Sequence, residues 1–334
     1  MSDIDFVLTY LDANDVEWQK EKNKYSPDKF ADVNPNRYRD WDNLQYFFRG
    51  VEKYAPWVRK IHFVTCGHLP KWLNTEHPKL HIVRHEDYIP KEWLPTFSSR
   101  CIDMNLHRID GLSEHFVYFN DDMFLTAPVK EEVFFQNGLP CDSAILSPQS
   151  FTSEEQIQLF LAPVMNLSLI NKYFNRSKVM RSDPAKWFSP KYRGELFRTL
   201  TMLPYPRFRG FLPIHLPYSY NRSTYEKVWE LEKDRLSEVS SHRFREVTDY
   251  NHWLFSYWQY ASGEFSPRNP HLGHVYQLRT RTEAEKAGQS ITGQKYKMIC
   301  LNDAVCDSEE FEETVSIVNS ALETILPGKS SFEK

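Results

Sequence analysis

The chain has 334 residues, with 41 Lys and Arg against 45 Asp and Glu, a formal net charge of -4 and a pI near 6.3. A general nucleic-acid binder is normally basic, so that class is set aside. Glycine is sparse at 11 residues and neither Gly-x-Gly-x-x-Gly nor a Walker loop occurs, which sets aside dinucleotide and P-loop chemistry.

The opening MSDIDFVLTY has no basic region before its short apolar stretch and no small-residue cleavage site after it, so no signal peptide is read. No run of 18 apolar residues occurs, too little for a spanning helix, and the expected location is the cytoplasm. The stretch at 4–11 reads as a buried strand ending near Asp12. DNLQYFFRGVEKYAP (42–56) has apolar residues at helical spacing, with Asp42 as cap and Pro56 as stop. Strands are predicted at 60–66, 79–85 and 115–122, and a helix over 97–109 capped by Ser98 or Ser99. This alternation is the signature of an α/β layer with a mostly parallel, Rossmann-like or GT-A-like sheet flanked by helices.

From about residue 150 helical patterns take over, at 153–174, 195–203, 223–239, 251–263 and 311–326. The expected organisation is one catalytic domain, with 1–140 and about 205–334 as core and about 141–205 as a helical insertion. Between Lys172 and Arg209 the chain is basic, with Lys178, Arg181, Lys186, Lys191, Arg193, Arg198 and Arg207 against Asp183 and Glu195. This is either a solvated face or a surface for anionic headgroups or a phosphorylated acceptor, and a peripheral membrane contact follows from the second reading. The five cysteines, Cys66, Cys101, Cys141, Cys300 and Cys306, are odd in number and lack zinc spacing, which reads as reduced structural thiols.

The apolar run FVYFNDDMFL (116–125) is broken by Asn120, Asp121 and Asp122. Buried carboxylates need a partner, so the pair marks either a solvated turn or a cation site. Ligands bind outside the carboxyl ends of parallel strands, where Asp12 and Asp121–Asp122 both fall. Transfer from a nucleotide sugar needs a cation on the diphosphate, cationic side chains and a base for the acceptor hydroxyl. Asp121, Asp122 and Asp303 are candidate ligands for Mg2+ or Mn2+, and Arg39 and Arg245 suit phosphate geometry. His215 lies between Pro213 and Pro217 on a segment that cannot be helical throughout, and imidazole is the side chain suited to general base work. His85, His107 and His252 are equally good as hydrogen-bonded core residues.

RYRDWDNLQYFFRGVEKYAPWVRKIHFVTCGHLPKWLN (37–74), HEDYIP (85–90) and LPTFSSRCIDMNLHRIDGLSEHFVYFNDDMFL (94–125) resemble the conserved regions of the Stealth family. So do IDFVLTYLD at the start, IHLPY with the later FRE, and YKMICLND followed by LPGKSSFEK. The resemblance implies transfer of hexose 1-phosphate from a UDP-sugar to a saccharide or lipid-linked oligosaccharide acceptor, with release of UMP. It places Asp12 on the nucleotide side, Arg39 with Asp40 at the start of the second region, His215 as base, Arg245 on phosphate, and Asp121, Asp122 and Asp303 as site acids. Asn120, Ser98 and Ser99, within the matching stretches, are expected to touch substrate. Leu8 and Tyr10 stand where the family often has Tyr and Trp. Two alternatives remain open from the residues alone. One is a metal-dependent glycosyltransferase releasing UDP, the other a carbohydrate-binding protein suggested by the 15% aromatic content.

Overall fold

In the computed structural model IDFVLT forms β1 (Ile4–Thr9), buried from Ile4 to Leu8 whichever face a side chain points to. A strand apolar on both faces belongs in the middle of a parallel sheet. On one side β1 pairs in parallel with β2 (Ile61–Thr65), which pairs in parallel with β3 (Leu80–Arg84). On the other it pairs in parallel with β4 (His115–Phe119), and β8 (Tyr218–Asn221) closes that edge antiparallel, giving the order β3-β2-β1-β4-β8. The structure describes residues 3–26, 39–149, 154–305 and 308–334, so Cys306 lies outside the described residues.

Two three-stranded sheets flank this one. β5 (Met123–Leu125) runs antiparallel to β11 (Met298–Asp303), itself parallel to β10 (Gly273–Leu278). β6 (Phe135–Gln136) and β7 (Leu139–Asp142) make a hairpin joined in parallel by β9 (Ser266–Pro267). Asn137 and Gly138 at its tip have φ of 54° and 74°, the left-handed pair that a two-residue hairpin requires.

Helices cover the sheets. α1 (Val16–Tyr25) buries no residue, whereas α2 (Leu44–Tyr54) turns Phe47, Phe48, Val51 and Tyr54 into the core. Asp42 does not cap α2: it has φ 45°, and Asn43 holds the cap position without a side-chain bond. α3 (His85–Tyr88) follows β3, and α4 (Ser99–Met104) is shorter than the predicted 97–109, giving way to a 3-10 turn at Leu106–Arg108. α5 (Glu154–Tyr173), α6 (Arg176–Ser182), α7 (Pro184–Trp187) and α8 (Leu196–Met202) fill the basic middle of the chain. The helix predicted over 223–239 divides at Glu232 into α9 (Arg222–Leu231) and α10 (Lys233–Ser241). α11 (Trp253–Ser262) packs on α5, and α12 (Arg281–Thr292) on α13 (Ser308–Ile325).

Candidate active site

The strand predicted over 115–122 stops at Phe119 because Asn120–Asp122 turn the chain out of the central sheet. Met123 N donates to Asn120 O at 3.1 Å, and the chain resumes as β5 in the neighbouring sheet. Leu301 N, from β11, donates to Asp122 O at 2.9 Å, so the turn is fastened to both sheets. The two adjacent acids therefore interrupt an apolar run where one sheet hands over to the next, at the carboxyl edge of β1 and β4.

His215 meets this turn. Its Nε2 lies 3.7 Å from Asp122 Oδ2 and 3.4 Å from Asn120 Nδ2. On its other side Nδ1 is 3.0 Å from the Tyr218 hydroxyl, which accepts from Trp253 Nε1 at 2.7 Å. The imidazole is thus held from both ends. Cys300 Sγ donates to Asp122 Oδ2 at 3.2 Å, and ligand atoms of Asp122, His215 and Cys300 all lie within 4.8 Å of one another. Burial opposes ionisation of Asp122, but the hydrogen bond and charge of His215, with the Cys300 bond, hold its carboxyl below the ordinary range. Asp122 Oδ1 and Asn120 Oδ1 are buried and have no hydrogen-bond partner.

A second group of acids rims the turn. Asp121 is exposed in area, yet the protein around it desolvates its carboxyl. That desolvation, then the charge of Asp122, raises its carboxyl to about 7. Tyr10 follows β1, and its phenol is pushed up by burial and then by Asp40, Asp12, Asp121 and Asp42. Those four carboxylates come from the ends of β1 and β4 and from the approach to α2. Asp12 Oδ1 accepts from Asn14 N at 2.9 Å, and Asp12 N donates to His68 Nε2 at 2.6 Å. Asp40 Oδ1 accepts from Asp42 N at 2.8 Å.

The expected arginines have separate partners. Arg39 Nε is 3.3 Å from Asp303 Oδ2, its guanidinium stacks 4.4 Å over Phe311, and it also donates to Val305 O. Asp303 takes Trp41 Nε1 at 3.4 Å and Val305 N at 3.0 Å as well, so its carboxylate is engaged by neighbours other than Asp121 and Asp122. Burial raises it despite Arg39. Arg245 donates to Ser99 Oγ of α4 at 2.7 Å, and its charge acts on Asp103 of the same helix. Ser98 begins α4 fully buried, its hydroxyl unpartnered and outside any cap bond.

Sequence reasoning missed four contributors. Tyr218 and Trp253 orient His215, Cys300 bonds Asp122, and Asp103 of α4 is a buried acid beside the same site. Tyr118 donates to Asp103 Oδ1 at 2.8 Å and lies 3.2 Å from Thr9 Oγ1 at the end of β1. Burial lifts the Asp103 carboxyl to about 7, only partly offset by Tyr118, Arg245 and His215. The Tyr218 signal was present, three residues beyond His215 within LPIHLPYSY. Nothing local marks Asp103 or Cys300, whose role comes from pairing across elements. His107 and His252 are core residues: His252 Nδ1 lies 2.9 Å from the Tyr220 hydroxyl, and burial drives both rings well below the usual imidazole range.

The family model for Stealth protein conserved region 2 matches residues 37–141. The chain is 42% identical over 339 residues to the capsular polysaccharide phosphotransferase WcwK of Streptococcus pneumoniae, covering 100% of this chain and 99% of that one. It is 39% identical to the exopolysaccharide phosphotransferase cps2G of Lactiplantibacillus plantarum, over 99% of this chain and 96% of that one. A solved structure of the WbbM bifunctional glycosyltransferase aligns with 97% of this chain and 51% of its own, at a TM-score of 0.37 and 9% identity.

Proposed function

Because this chain belongs to the Stealth family of polysaccharide phosphotransferases, we propose that it moves hexose 1-phosphate from a UDP-sugar onto a saccharide hydroxyl, releasing UMP. The product is a phosphodiester in a cell-surface or capsular polysaccharide. The observation that carries the chemistry is the meeting of His215 with Asp122 at 3.7 Å, on a turn at the carboxyl edge of two central parallel strands.

In the neutral ring with its proton on Nδ1, donated to the Tyr218 hydroxyl, Nε2 carries a lone pair beside Asn120 Nδ2, and in the charged ring Nε2 instead donates to Asp122. In the neutral ring Nε2 is free to take the proton of an acceptor hydroxyl. The acceptor oxygen forms its bond to the sugar-proximal phosphorus, the bond from that phosphorus to UMP breaks, and the proton stays on His215. The resulting imidazolium faces the Asp122 carboxylate, which stabilises it at the moment it forms. Arg245, whose planar fork suits phosphate, would hold the departing nucleotide or the transferred phosphate.

An anionic donor entering a rim of four carboxylates needs compensating positive charge. Mg2+ or Mn2+ fits the residues present, since Asp122 Oδ1 and Asn120 Oδ1 are buried oxygens without partners and hard cations take oxygen ligands. Asp121 and Asp122 would hold the ion, which would supply charge neutralisation on the diphosphate, and Asp303, expected as a third ligand, would have to leave its bonds to Arg39 and Trp41 to join them.

Chromatography of the nucleotide released from a panel of UDP-sugars, with magnesium or manganese and a saccharide acceptor, tests the proposal. UMP, lost on chelation and in His215→Ala, is the expected result. UDP would mean that the anomeric carbon is attacked instead, and the reaction would be ordinary glycosyl transfer.

A further inference from the structure

Thr199 and Met202 turn the inner side of α8 toward the protein, and Thr199 Oγ1 accepts from Leu146 N at 3.1 Å. The helical repeat then fixes what faces out. Phe197 and Leu200 fall one turn apart, and the chain runs past the helix through Leu203 and Tyr205. These four side chains are 71%, 48%, 38% and 41% exposed. An amphipathic surface helix normally turns such residues inward, and a contiguous apolar ridge on the outside marks a contact surface.

The surroundings name the partner. Arg193, Arg198, Arg207 and Arg209 are exposed, and from 191 to 209 the sequence carries one carboxylate, Glu195, which pairs with Arg198 at 2.6 Å. Arg209 extends its guanidinium over the Tyr205 ring at 4.5 Å. Aromatics and arginine also occur in protein interfaces, but Phe and Leu flanked by several arginines and one carboxylate is the composition of a helix lying on an anionic membrane surface. We propose that this ridge docks on the anionic surface of a lipid bilayer, with Phe197, Leu200, Leu203 and Tyr205 entering the headgroup boundary and the arginines facing acidic lipids.

The ridge is tied to the chemistry by a short path. Gly210 O accepts from Ser147 N at 3.1 Å, and Leu212 N donates to Ile145 O at 2.8 Å, pinning the segment that runs from the ridge to His215. A docked ridge would hold His215 at a fixed height above the bilayer, which suits an acceptor carried on lipid. That last consequence rests on the proposed reaction; the docking itself does not.

The test is co-sedimentation of the full chain with vesicles of phosphatidylcholine alone or with about one third phosphatidylglycerol. Binding is expected to the anionic vesicles at low salt, falling steeply as salt rises. Arg193→Gln with Arg207→Gln should weaken it by about fivefold for each cation removed. Phe197→Ser with Leu200→Ser should weaken it at least about tenfold while circular dichroism and the thermal midpoint stay unchanged, since both side chains already face solvent. Absence of binding at low salt, or binding that ignores both pairs of substitutions, overturns the proposal. So does a dimer on size exclusion that Phe197→Ser with Leu200→Ser dissolves, because the ridge would then cover a second copy of the chain. Vesicle binding is read without turnover, so its failure leaves the nucleotide result standing, and the reverse holds equally.

Discussion

The Tyr218 hydroxyl receives Trp253 Nε1 and meets His215 Nδ1, so it fixes the ring that we propose as base. Tyr218→Phe leaves both partners unpaired. A buried donor without its acceptor costs about 1–3 kcal/mol, and a misoriented base costs up to about 10²-fold in rate. The expected outcome is a fall in kcat with KM little changed, and a kcat that stays at wild-type level would remove Tyr218 from the mechanism. Asp103 gives a pH test. Its carboxyl is raised by burial to about 7, so the folded state holds this proton more tightly than the unfolded chain does. The stabilisation is complete below the ordinary aspartate range and is lost as pH climbs through about 7. Asp103→Asn keeps an acceptor for Tyr118 and removes the titration, so between pH 5.5 and 8.5 its stability relative to wild type should improve by about 2 kcal/mol in urea unfolding. A difference that does not move with pH contradicts the assignment. Asp122 breaks a local pattern, an acid within an apolar run, whereas His215 between prolines was not singled out by spacing, and only the fold sets it 3.7 Å from Asp122. Asp103 breaks none, since a lone acid within a helix is ordinary until the fold buries it beside Tyr118.

The central strands were readable because β1, β2 and β4 are largely apolar on both faces, with Asp5 and His62 as buried exceptions that pair with each other, and that pattern implies a covered parallel sheet. The second sheet was not, because β5 is three residues long and β10 is buried only at its two ends, with no alternating pattern between them. Its identity is set by pairing with β11, which no local window contains. Boundaries slipped for the same reason: the 115–122 run looks like one strand until Asn120–Asp122 is seen to pass the chain to another sheet. Gly273, the first residue of β10, shows how closely these elements meet at the site. A Cβ there would lie 2.6 Å from Leu216 Cδ1, 2.7 Å from Met298 Cγ and 2.8 Å from Met298 O. Leu216 follows His215 directly, and Met298 O belongs to backbone that cannot swing away. Gly273→Ala should therefore lower stability by about 1–3 kcal/mol through overpacking and lower kcat by displacing the His215 segment. Normal turnover in a variant of reduced stability would show that the clash is absorbed on the β11 side alone.

At the scale of the whole molecule, the last residues reach back to the first third of the chain. Phe332 is buried on Phe48 of α2, with ring centroids 5.3 Å apart, and against His77 at 3.8 Å. Asn74 N donates to Phe332 O and Lys334 N to Trp72 O, each at 2.8 Å, so the segment is held by backbone bonds on both sides of the ring. Arg49 of α2 makes a bidentate pair with Glu333 at 2.8 and 2.9 Å and reaches Glu323 of α13 at 2.8 Å. α2 in turn packs on β5, which begins directly after the Asn120–Asp122 turn. The tail thus braces the helix behind the site, and loosening it is expected to spread. Phe332→Ala should cost about 3–5 kcal/mol, the range for deleting a buried aromatic ring. Glu333→Gln tests the ionic half separately. Burial would raise the Glu333 carboxyl, but the bonds from Arg49 and Ser330 outweigh it and hold it below the ordinary range. Its contribution is therefore present at neutral pH and lost as pH falls through that lowered value. The deficit of Glu333→Gln should be about 2 kcal/mol at pH 7, because Arg49 loses its bidentate partner and keeps Glu323, and should narrow as pH falls below the ordinary glutamate value and through the lowered one. Unfolding followed by tryptophan fluorescence and by far-UV dichroism decides between two pictures. Coincident transitions shifted together in Phe332→Ala make the tail an integral part of the core, whereas an unchanged main transition would make it a detachable strap.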